Sequence, residues 1–129
     1  QVHTYISPPS LNQYVARRVL EERLEEKYIG RYLQHLKANL QLVKRFIREH
    51  SLDMVEPKGG IYAFIRLQGI DSAKFCMRLI EEEKVAVAPG IDFGQEWREW
   101  IRITIAKSRD ELVEGLERIV KLYESTTQR

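Results

Sequence analysis

The sequence predicts a two-layer α/β fold, with helices packed on one side of a small sheet, on three observations. Apolar residues Ile29, Leu33, Leu36, Leu40, Val43 and Ile47 follow one another at alternating steps of four and three, which is a helical stripe. After Ser51 the period changes, and the runs "IYAFIRL" and "WIRITIA" are rich in β-branched and aromatic residues, as strands are. Capping-box signatures, Ser10 with Gln13 and Ser108 with Glu111, mark where a first and a last helix open. Helices laid over a small sheet make a two-layer domain.

Each element follows in turn. Ser10, directly after Pro8 and Pro9, starts a helix near Leu11, and Gly30 marks a break or bend that separates it from a long second helix ending near His50. The stripe on that helix reads as a core face, with a dimer seam as its other use. Pro57, Gly59 and Gly60 turn the chain into the first strand, where paired glycines give the backbone freedom to take a positive φ. Asp71 or Ser72 caps the next helix, with Ala73, Cys76, Leu79 and Ile80 on one face and "EEEK" at its end. "VAVAPG" is a short strand closed by a Pro-Gly turn, and "WIRITIA" is the strand after it. The last helix places Leu112, Leu116, Ile119 and Tyr123 on one face, and the tail is expected to fray. The organisation is therefore one domain over 1–129: a helical segment at 1–50, a strand–helix sheet unit at 51–124 and a frayed tail at 125–129.

Bulk properties bound the function. At 129 residues the chain fits one domain and is short for an enzyme that needs two lobes. With 43% hydrophobic and 31% charged residues it reads as a globular protein. No apolar run approaches the roughly 20 residues of a membrane span, and no secretory pattern opens the chain. Cys76 is a lone cysteine, which excludes an internal disulfide and suits a reducing compartment; the expected location is cytoplasmic. The chain begins on Gln1 rather than Met, so a piece of a longer polypeptide is expected. Residues 1–50 carry nine Lys or Arg against five Glu, but Glu21, Glu22, Glu25 and Glu26 alternate with Arg18, Arg23 and Lys27 at helix-neighbour spacings. That pattern is a solvated, ion-paired face rather than a phosphate-binding one.

The stretch "PKGGIYAFIRL" has some of the features of an RNA-recognition strand: a basic residue and glycine, then Tyr62 and Phe64. Such a domain needs a second aromatic motif on an earlier strand, whereas helices precede this one, and Gly60 and Ile61 displace the basic residue from Tyr62. Nucleic acid is therefore not an expected partner. His3, His35 and His50 show no metal-ligand spacing among themselves or to Cys76. No Walker loop or dinucleotide fingerprint occurs.

Three stretches in order, "PKGGIYAFIRL", "VAVAPGIDFG" and "WIRITIAKSRDEL", resemble the C-terminal small domain of class I and II aminotransferases, which are fold-type-I pyridoxal-phosphate enzymes. The matching residues are Pro57, Gly59, Gly60 and Tyr62, then Val87, Pro89, Gly90, Phe93 and Gly94, then Arg102, Ala106 and Leu112. The opening "SPPSLNQYVARRVLEE" is similar to the segment after the cofactor lysine in such enzymes. The resemblance implies a mainly antiparallel sheet covered by helices, and Arg102 as the ligand of a substrate's α-carboxylate. It implies that Phe93 and Gly94 belong to a mobile segment near the substrate. Pyridoxal 5'-phosphate, its Schiff-base lysine, the aspartate of its ring nitrogen and its phosphate-binding groups are implied to belong to a large domain with no counterpart here. The implied partners are that large domain, an amino acid and a 2-oxo acid, and a second copy in a homodimer.

The residues themselves support part of this. In "IRITI", Ile101, Ile103 and Ile105 point to one face and Arg102 with Thr104 to the other. A guanidinium forks a carboxylate with two parallel charge-assisted hydrogen bonds, whereas on an open sheet face it is otherwise solvated or paired with a glutamate. Tyr62 and Phe64 are expected in the core. Lys107 in "TIAK" mimics a Ser/Thr-x-x-Lys motif, but its place before a capped helix is wrong for a catalytic lysine. The rival expectation is a stand-alone binding or regulatory module with this fold, or the same domain from a lyase or synthase.

Overall fold

A computed structural model describes residues 8–127. The chain divides into two compact units, residues 1–35 and 36–129. The first unit contains helix α1 (Ser10–Glu21) and the start of helix α2 (Leu24–Glu49). The expected capping box at Ser10 does not form: Pro9 is the cap residue, and Gln13 Nε2 donates to the Pro8 carbonyl at 2.8 Å. The break between the helices falls at Arg23, whose φ is 52°, and not at Gly30, which continues α2. Arg17 pairs with Glu21, Arg18 with Glu22 and Arg23 with Glu26, so the alternating charges do satisfy one another on the surface. Ile29 and Leu33 are exposed, so the stripe becomes a core face only from Leu36 onward.

In the second unit four strands, β1 (Asp53–Val55), β2 (Tyr62–Arg66), β3 (Ala88–Pro89) and β4 (Trp100–Thr104), form an antiparallel sheet in the order β1-β2-β4-β3. Strand β1 is an addition to the sequence reading: Met54 and Val55 were too few to show a period, and pairing with Ile65 and Phe64 holds them extended. Gly60 enters β2 at φ 79°, as the paired glycines suggest. Helix α3 (Ser72–Glu83) is capped by Asp71, whose side chain accepts from the Lys74 N–H, and it ends at Lys84 in a left-handed conformation. Its buried face carries Phe75, Cys76 and Leu79, while Ala73 and Ile80 face outward. Helix α4 (Arg109–Thr127) opens on the reciprocal box expected at Ser108 and Glu111. Its last turn includes Ser125, Thr126 and Thr127. Each hydroxyl bonds a carbonyl one turn back, and Arg78 donates to Thr126.

One core cluster joins the halves of this unit. Ala63 and Ile65 of β2 and Ile101 and Ile103 of β4 meet Val43 and Ile47 of α2, Leu79 of α3, and Leu112, Leu116 and Ile119 of α4. Buried Asn39 ties α2 to the end of the central strand, donating to the Ile105 and Lys107 carbonyls at 2.8 Å each. Strand alternation then leaves the opposite face of the sheet open. Among the described residues no helix is long and apolar enough to cross a membrane. Ser7 and His3, together with the last two residues of the tail, lie outside the described residues.

Candidate functional site

The open face carries Tyr62, Phe64 and Arg66 from β2 and Trp100, Arg102 and Thr104 from β4, set opposite one another as Tyr62–Thr104, Phe64–Arg102 and Arg66–Trp100. Two arginines on one face have different surroundings. Arg66 donates from Nη2 to Glu99 at 2.8 Å and from Nε to the same oxygen at 3.2 Å, with the Asp53 carboxylate at 3.9 Å. Arg102 has no carboxylate partner among the described residues; its Cζ lies 4.1 Å from the Tyr62 ring centroid and 4.7 Å from that of Phe93. Phe64 meets Phe93 edge-on at 5.2 Å and Trp97 at 5.1 Å, and Trp97 meets Trp100 at 5.2 Å. A guanidinium with aromatic neighbours and no internal counter-ion retains its N–H donors for an external anion.

The Arg66–Glu99 contact makes a pH prediction. The hydrogen bond from Arg66, then the Gly69 N–H, hold the Glu99 carboxyl below the usual carboxylate range. A depressed folded pKa contributes stability that is present above the unfolded value and lost as pH falls through the folded one. Glu99→Gln is therefore expected to be less stable than the parent at neutral pH, with the two urea midpoints converging as pH drops below the carboxylate range. A gap that stays constant down to acid would show that ionisation of Glu99 contributes nothing.

Phe93 is brought to Arg102 by a loop that few sequences could follow. It runs through two short 3-10 turns, Gly90–Phe93 and Gln95–Trp97, joined by Gly94 at φ 135° and ψ 158°, a region essentially restricted to glycine. A Cβ on Gly90 would collide with the Trp97 carbonyl and stand 2.5 Å from that of Trp100. Buried Ser72 holds both ends of the loop: its N–H donates to the Arg98 carbonyl at 2.9 Å, and its Oγ accepts from the Ile91 N–H at 3.3 Å.

The structure brings Arg102 and Phe93 into contact, and Gly94 follows Phe93 in the loop. It corrects the placement of Tyr62 and Phe64. These face away from the core, with Tyr62 44% exposed, because Ala63 and Ile65 take the inward positions of β2. The contact of Tyr62 with Arg102 and the anchoring by Ser72 were not read from the sequence. The shared parity of Tyr62, Phe64 and Arg66 was a signal for the first; no sequence signal marked the second. Lys107 is on the surface, paired with Glu111 at 3.5 Å, which suits its reading as a chance match. Cys76 is buried, and burial first, then Asp92, pushes its thiol up to about 11, far from a reactive thiolate. Among the described residues no group of His, Cys, Asp or Glu is arranged to hold a metal ion.

Fold and open face together define a two-layer α/β domain that presents, among aromatic rings, an arginine with no carboxylate partner among the described residues. The family described as aminotransferase class I and II matches residues 1–119, and the chain belongs to that family. It is 33% identical over 119 residues to the (5-formylfuran-3-yl)methyl phosphate transaminase of Methanocaldococcus jannaschii, covering 92% of this chain and 32% of that protein. It is 34% identical over 119 residues to an aspartate aminotransferase of Thermotoga maritima, covering 92% of this chain and 29% of that one. A solved aromatic aminotransferase from Pyrococcus horikoshii superposes with a TM-score of 0.80 at 30% identity, over 89% of this chain and 31% of its own. The chain thus spans about a third of the length of the curated relatives it matches.

Full-length members of this family use pyridoxal phosphate. A phosphate seeks a helix N-terminus free of negative charge. Here α2 opens on Glu25 and Glu26, α3 is capped by Asp71 and α4 opens on Asp110 and Glu111, whereas α1 opens with no acidic residue in its first turn.

Proposed function

We propose that this chain is the C-terminal, substrate-clamping small domain of a pyridoxal-phosphate-dependent aminotransferase that moves an amino group between an amino acid and a 2-oxo acid. The observation that carries the reading is the contrast between Arg66, satisfied by Glu99, and Arg102, which faces the same side with no carboxylate partner among the described residues. Arg102 takes the substrate's α-carboxylate in a two-pronged hydrogen bond, which fixes its orientation as well as its position. Phe93 flanks the guanidinium, and the loop around Gly94 closes over the substrate and excludes water. The cofactor and the lysine that carries it belong to a large domain outside this chain, and the complete enzyme acts as a homodimer. Family membership supports the reaction class, and the chain's covering about a third of its relatives' length supports the division of labour.

The test compares the 129-residue chain with the product of the complete reading frame that contains it, each supplied with pyridoxal phosphate, an L-amino acid and a 2-oxo acid. Transamination is expected from the longer polypeptide alone. Turnover by the short chain would contradict the division of labour. A complete reading frame without a cofactor lysine would replace the enzyme reading with that of a binding module.

A further inference from the structure

Tyr62 makes the shorter of the two ring contacts to Arg102, 4.1 Å against 4.7 Å for Phe93. Its backbone lies opposite Thr104, so the contact with Arg102 is diagonal across the ladder, within reach of an aromatic ring. The two rings come from different kinds of element. Phe93 stands in a turn beside a glycine-only conformation, whereas Tyr62 belongs to a paired strand whose neighbours Ala63 and Ile65 are buried in the core.

We propose that Tyr62 is the fixed positioning residue for Arg102: its ring holds the guanidinium in place on the open face before any carboxylate arrives. This rests on the proposal that Arg102 binds a carboxylate, and it adds which residue makes that binding preorganised. A long arginine side chain with no hydrogen-bonded partner otherwise samples many rotamers and loses that freedom on binding. A ring contact at Cζ restrains it without occupying an N–H donor, so the fork remains available to both oxygens of the ligand. The phenol hydroxyl takes no part, because the restraint comes from the ring.

Selective 15N labelling of arginine in the product of the complete reading frame, with succinate and 2-oxoglutarate as probes, separates the roles. The Nε–Hε group of Arg102 is expected to be rigid on the nanosecond timescale in the parent and in Tyr62→Phe, and mobile in Tyr62→Leu. The carboxylate dissociation constant read from the same signal is expected to rise about tenfold in Tyr62→Leu and to stay unchanged in Tyr62→Phe. Tyr62 is exposed enough for leucine to leave the fold intact, and the other arginine signals report whether it does. Equal rigidity and equal affinity in Tyr62→Leu overturn the positioning role and leave Arg102 as the carboxylate ligand. A parent Arg102 signal that ignores both probes overturns the carboxylate reading and the positioning role together.

Discussion

Arg102→Lys in the complete enzyme is expected to lower kcat/KM for α-carboxylate substrates by about a hundredfold, or about 3 kcal/mol of lost transition-state binding. The substitution keeps the charge and removes the planar fork, so the loss measures geometry rather than electrostatics. Stability is expected to move by less than about 0.5 kcal/mol, because Arg102 is half-exposed and no described residue depends on it for an ion pair. Steady-state kinetics beside a urea titration separate the two. Unchanged kinetics in a folded variant would remove Arg102 from the site.

Gly90→Ala is expected to destabilise the chain by about 3 kcal/mol, at the upper end for overpacking. The added methyl meets the Trp97 and Trp100 carbonyls, and backbone cannot swing aside as a flexible side chain does. Relief requires the turn that carries Phe93 to shift, so its contact with Arg102 should be lost in whatever fraction stays folded. The check is a urea midpoint with an unchanged slope, which isolates stability from compactness. A midpoint equal to the parent's would show that the loop accommodates a side chain and that its tight course does not fix Phe93.

Regular elements were legible where a period could declare itself. The helical stripe, the "IYAFIRL" and "WIRITIA" strands and the Ser108 cap all appear close to where the spacing puts them, because burial on one face imposes that spacing. Short or backbone-determined features were not. Asp53–Val55 is held extended by pairing across a turn, and the helix break sits at Arg23, an arginine in a left-handed conformation that no propensity favours. The capping box at Ser10 failed because Pro9 is the cap residue and the Gln13 side chain donates to the Pro8 carbonyl instead of accepting from the Ser10 N–H.

The site divides in the same way. The parity of "IRITI" set Arg102 opposite the core, as found, and the resemblance supplied its expected role. That Tyr62 would touch it depended on the register of β2 against β4, which is a property of two distant segments and invisible to either. Tyr62 and Phe64 share a strand face that is expected in the core, yet Ala63 and Ile65 fill the helix-facing side and leave the rings outward.

The most direct measurement is a crystal structure of the complete enzyme with a non-reactive carboxylate substrate analogue. The account predicts both carboxylate oxygens within hydrogen-bonding distance of the Arg102 guanidinium, with Tyr62 and Phe93 still flanking it. A carboxylate held by other residues, with Arg102 turned to a protein glutamate or aspartate as Arg66 is to Glu99, would contradict it.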